Sequence, residues 1–110
     1  MNVSDLVSQF GFESLVRPSV DHPIVDAYTS DLLSDVMARA GEGSALITIQ
    51  AHKNTVAVAS LVGARAIILC NGRPAPDDMV EAATSEGIAI CRTPMNQFEV
   101  SGMLYRSLRG

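Results

Sequence analysis

The stretch ALITIQAHKNTVAVASLVGARAIIL, residues 45–69, decides how this chain folds. It opens on Ala45-Leu46-Ile47-Thr48-Ile49 and closes on Ala66-Ile67-Ile68-Leu69, two short and nearly continuous apolar runs. Between them Asn54 to Val62 is helix-forming, and Gly63 ends the helix. Strands buried on both faces read as unbroken apolar runs, because neither face meets water. Two such strands joined by a helix form a βαβ unit, and the right-handed crossover makes the strands parallel.

The same rhythm continues in both directions. Downstream, Pro76 to Glu86 is a helix with proline suited to its first turn and Gly87 as its stop; Ile88 to Ile90 is a third strand, and Asn96 to Leu108 a last helix. Upstream, Asp31 suits the positive end of a helix dipole, and Ser30 can cap free N–H groups. Leu32, Leu33, Val36, Met37 and Ala40 then share one helical face until Gly41 and Gly43 break it. Before that, Ile24 to Tyr28 reads as a strand and Asp21-His22-Pro23 as a turn. Ser14-Leu15-Val16 is a short extended piece stopped by Pro18, and Ser4 is the expected cap of a first helix ending at Gly11. The expectation is one three-layer α/β/α domain over residues 1–110, its sheet mostly parallel.

Composition narrows the function. The 110 residues suffice for one core, and with 47% hydrophobic residues and no tryptophan that core must be aliphatic. A net charge of −4 argues against a general nucleic-acid binder, which needs a basic excess. Cys70 and Cys91 have no CxxC spacing, so neither a disulfide framework nor a structural zinc site is expected. No run approaches the ~20 apolar residues of a membrane span, and the N-terminus has no basic region; a cytoplasmic protein is expected. There is no GxxxxGK[ST], GxSxG or HExxH, so no catalytic residues, cofactor or metal are assigned.

In open parallel sheets, ligands bind beyond the carboxyl ends of the strands. Three loops leave those ends here. They supply His52, Lys53 and Asn54; Cys70, Asn71, Gly72 and Arg73; and Cys91, Arg92 and Thr93. Three of the eight basic residues fall in them, in an acidic chain, and each loop runs into a helix N-terminus. That pattern points to a small anionic ligand such as a nucleotide; the plainer reading is that loops are polar because they meet water. His52 with the two cysteines could also form a metal site or a Cys–His pair, although no diagnostic spacing supports either. Asp31 and Asp35 stand four apart, and the plain reading is a helix-start residue and a solvated one. The helix Thr55 to Val62 is apolar nearly all round and calls for a cover on its outer side. A second copy of the chain is the expected cover, with Val56, Val58, Ala59 and Val62 at the dimer interface.

Laid out this way, the chain resembles the DRTGG domain family from about Val3 to Leu108. The resemblance rests on Val25 to Met37, Ala45 to Asn54 and Ile67 to Gly72. The family's Asp-Arg pair appears as His52-Lys53 and its Thr-Gly-Gly as Cys70-Asn71-Gly72, so only Lys53 and Gly72 keep the original character. The resemblance implies a fold like the N-terminal domain of HPr kinase/phosphorylase, accompanying an enzyme without being its catalytic part. For short stand-alone members it also implies an enzyme partner in redox or fermentative metabolism, iron-only hydrogenase included. The combined expectation is a non-catalytic regulatory homodimer sensing a small anionic metabolite or nucleotide. The alternative is an adaptor for a metabolic enzyme with no small ligand.

Overall fold

The computed structural model describes residues 1–110. In chain order the elements are α1 (Asp5–Ser8), β1 (Glu13–Val16), β2 (Asp26–Thr29), α2 (Leu33–Arg39), β3 (Ser44–Thr48), α3 (Lys53–Val62), β4 (Ala66–Leu69), α4 (Asp77–Glu86), β5 (Ala89–Arg92) and α5 (Gln97–Arg109). The five strands form one sheet in the order β1-β5-β4-β3-β2. Every pair is parallel except β1 with β5, which is antiparallel. The α/β class and mostly parallel sheet expected from the sequence are therefore the observed ones.

The apolar run Ala66–Leu69 became the centre of the sheet because it can be buried on both sides. Ala66 and Ile68 face a core shared with α1 and α5, built from Leu6, Phe12, Ile47, Cys91 and Leu104. Ile67 and Leu69 face the opposite core with Val36, Val56, Met79 and Ile90, under α2, α3 and α4. The layers are thus α1 and α5, the sheet, then α2, α3 and α4. Each fully buried large aliphatic side chain contributes about 1.5–3 kcal/mol, so Ile67, Ile68 and Leu69 tie both cores to the central strand.

Several boundaries moved for identifiable reasons. β2 begins at Asp26, not Ile24, because Ile24 donates its N–H to the carbonyl of Met1 at 2.7 Å beside an Asn2–Pro23 bridge. Ser4 does not cap α1; its backbone N–H and hydroxyl both go to the Asp21 carboxylate, at 2.9 and 2.7 Å. Gly63 ends α3 as expected, at φ 76°, where a Cβ would also meet the Glu42 side chain at 2.9 Å.

The expected dimer face on α3 is corrected by the packing. Val56, Val58 and Ala59 are buried within the chain and Val62 is half-buried, because α2 and α4 lie on either side of α3. The helix is apolar on several sides because its own chain covers several sides. Beyond its first turn, what it shows to water is Ala57, Ser60 and Leu61.

Candidate ligand-binding site

Parallel register sets Thr48, Leu69 and Arg92 side by side, so the loops after β3, β4 and β5 all start at one edge. The loop after β4 turns on Asn71 and Gly72, with φ 57° and 65°. Two consecutive positive φ values are the pattern of a type I′ turn, which Asn-Gly adopts readily. The turn closes with the Arg73 N–H on the Cys70 carbonyl at 3.2 Å. It is tied to the loop after β5 by Asn71 N–H on Met95 O at 2.9 Å and Gly72 N–H on Thr93 O at 2.8 Å. These are the backbone donors that would cradle a phosphate, and all three are already used.

His52 caps α3, its Nδ1 accepting from the Asn54 N–H at 3.0 Å. Lys53 and Asn54 follow, exposed, at the first turn of α3. Lys53 and Arg73 are exposed and belong to none of the three ion pairs of the chain. Thr93 is buried, and its hydroxyl accepts from the Met95 N–H at 3.2 Å.

Other predicted residues are engaged elsewhere. Arg92 lies opposite Glu13 in the β1–β5 register and grips its carboxylate with two hydrogen bonds, Nε at 3.0 Å and Nη2 at 3.1 Å. Cys70 and Cys91 are buried in the core on the α1 and α5 side, where burial pushes both thiols up to about 11. His52 starts a helix of the opposite layer, so the trio does not converge. No three His, Cys, Asp or Glu side chains gather to hold a metal ion. The edge presents to solvent two unpaired cations, Lys53 and Arg73, with Gln50, His52, Asn54 and Asn71, and the carboxylate of Asp31.

Asp31 organises this edge, a role the sequence did not disclose. Helix α2 starts only at Leu33, with Leu32 as its cap, so Asp31 is not a helix-start residue. Its Oδ1 instead accepts from Thr48 Oγ1 at 2.8 Å, Ile49 N–H at 2.9 Å and Gln97 Nε2 at 3.0 Å. One carboxylate thus joins the exits of β2 and β3 to the first turn of α5. Asp35 accepts from the Tyr28 hydroxyl at 2.7 Å and meets Arg39 at 3.7 Å. A hydrogen bond spanning 66 residues leaves no local pattern, so only the oddity of an Asp outside its helix could have marked Asp31.

No family model and no curated protein matches the chain. Among solved structures, it is similar to the regulatory region of Clostridium perfringens pyrophosphatase, with CBS and DRTGG domains, complexed with its activator diadenosine tetraphosphate. The TM-score is 0.75 at 14% identity, over 96% of this chain and 46% of that one. The chain therefore spans about half the length of that regulatory region, and the likeness is one of fold. No helix is long and apolar enough to cross a membrane.

Proposed function

We propose that this chain is a non-catalytic regulatory module of the DRTGG type that senses a small anionic ligand, a nucleotide first among them. One observation carries the reading: 96% of the chain shares its fold with part of an enzyme's regulatory region that was solved with a nucleotide activator. Lys53 and Arg73, with Asn54 and Asn71, supply the free donors at the strand carboxyl edge. The three backbone N–H groups of the β4 loop are occupied, so on that loop binding relies on side-chain charge at an exposed rim. Affinity should then fall as ionic strength rises.

The test is a thermal-shift and calorimetric titration with diadenosine tetraphosphate, ATP and AMP. A ligand at one hundred times its Kd adds about 2.7 kcal/mol of stability. For a domain of this size that moves the midpoint by roughly 10 °C. Lys53→Ala with Arg73→Ala should weaken binding at least tenfold. A midpoint unmoved by all three nucleotides would overturn the reading.

A second reading, contact with another protein or another copy of the chain, draws on α5. Phe98 is 86% and Tyr105 67% exposed, on one helical face with Gly102 between them. If this face is the contact, Phe98→Ser with Tyr105→Ser lowers the sedimentation coefficient of an associated species. A wild type that sediments as a monomer removes self-association.

A further inference from the structure

A hollow of about 300 Å³ lies on the α1 side of the sheet, beside β1 and β5, and none of Lys53, Asn54, Asn71 or Arg73 lines it. Its origin is local. The β1–β5 register shifts between Ser14 and Val16, a bulge, and Pro18 then prevents β1 from continuing. The chain peels off the sheet at Arg17 and returns over it as the segment Arg17–Asp21. Ala89 and Cys91 of β5 are left as part of the lining, with α1 and Arg17–Asp21 as walls. The walls are held together behind by Ser4, whose N–H and hydroxyl bind both oxygens of Asp21.

The lining is specific in what it offers. Val7 and Val20 are 43% and 56% exposed at the hollow, large apolar groups left open to solvent. The Ser4 and Ser8 hydroxyls are committed to Asp21 and to the Ser4 carbonyl, whereas those of Ser14 and Ser19 are free. Arg17 forms none of the three ion pairs and its fork of N–H donors is unfilled, although its charge reaches the Asp21 carboxylate. A guanidinium with neighbouring hydroxyls matches a carboxylate, which accepts two parallel hydrogen bonds. No aromatic residue lines the hollow, so there is no surface on which a base could stack. The nearby Asp21 charge makes each added negative charge less favourable, so a single carboxylate on Arg17 suits the hollow better than a polyanion. At about 300 Å³ the space is at the small end of the roughly 300–1,000 Å³ usual for ligand sites.

We propose that the hollow between α1 and Arg17–Asp21 binds a small aliphatic monocarboxylate, its charge on Arg17 and its hydrocarbon between Val7 and Val20. This site is independent of the strand carboxyl edge. The probe is isovalerate, followed by two-dimensional NMR of the full chain, with isovaleramide and AMP as comparisons. Isovalerate should give saturable shifts confined to residues around Val7, Val20, Ala89 and Cys91, and bind at least tenfold more tightly than the amide. Arg17→Gln, and Ser14→Leu filling the space, should each cost at least tenfold, while Lys53→Ala with Arg73→Ala changes nothing. Equal binding of acid and amide, tighter binding of AMP at the same residues, scattered shifts that do not saturate, or full affinity in Arg17→Gln would each overturn the proposal. Should Ser14→Leu fail to fold, Arg17→Gln, changed at an exposed side chain, decides alone.

Discussion

Asp31 shows how much a single carboxylate can organise. It is an exposed residue, yet its Oδ1 receives three hydrogen bonds from β3, the loop beyond it and α5. Hydrogen bonds to charged groups contribute about 1.5–3 kcal/mol, and exposure brings the sum down rather than up. Asp31→Ala should therefore cost about 2 kcal/mol in urea unfolding, whereas Asp31→Asn, which keeps an accepting oxygen, should cost less than half of that. Equal losses would mean that the carboxylate's hydrogen bonds are not what matters. The two thiols make a prediction of a different kind. Their pKa rises from 9.0 to about 11 on folding, so between those values the folded chain holds more protons than the unfolded one. Stability must then fall as pH rises from 9 to 11. Tyr28 is also raised, chiefly by its hydrogen bond to Asp35, and acts in the same direction above 10. The double variant Cys70→Ala, Cys91→Ala should flatten the decline between pH 9 and 10 in a series of denaturation curves. An unchanged slope would show that the thiols are not its source.

Among the elements, α3 gives the sharpest test of how packing uses a sequence. Its apolar residues suggested a partner chain, yet α2 and α4 of the same chain flank it, and Val58 is only 8% exposed. Val58→Glu should thus place an unpaired charge in the core and destabilise by more than about 3 kcal/mol. Leu61, 69% exposed on the same helix, should tolerate Lys within about 0.5 kcal/mol. Sedimentation with urea unfolding separates the cases. A Val58→Glu chain that stays folded and changes only its association would restore α3 as an interface. The elements were legible wherever one local signal sufficed. β4 was read to its residue, and α3 and α4 end at Gly63 and Gly87 as expected. They were less legible where distant residues decide. Arg92 belongs to Glu13 because an antiparallel first strand returns beside the last one, 79 residues away. Nothing in the loop around Arg92 records that partner. The Arg17–Asp21 hollow was missed for the same reason, since its floor is β5 and its walls are the first 21 residues.

At the scale of the whole molecule, the two cores share one sheet, and this bears on how the chain unfolds. Ile67 and Leu69 sit in one core while Ala66 and Ile68 sit in the other, with no residue between them to act as a linker. Removing α5 from its side would expose the same strand that α3 and α4 cover on theirs. Partial opening therefore forfeits burial on β4 without releasing the entropy of the opposite layer, and the half-open state should be sparsely populated. Two tyrosines report the two sides: Tyr28 packs beneath α2, and Tyr105 rides on α5. We expect one transition in urea, with far-UV circular dichroism and tyrosine fluorescence coinciding in the wild type and in each single-tyrosine variant. Hydrogen exchange should find the slowest amides in β3 and β4, closing at the global unfolding free energy. Separate midpoints for Tyr28 and Tyr105 would mean that the layers open independently and that residues 1–110 are not one cooperative unit.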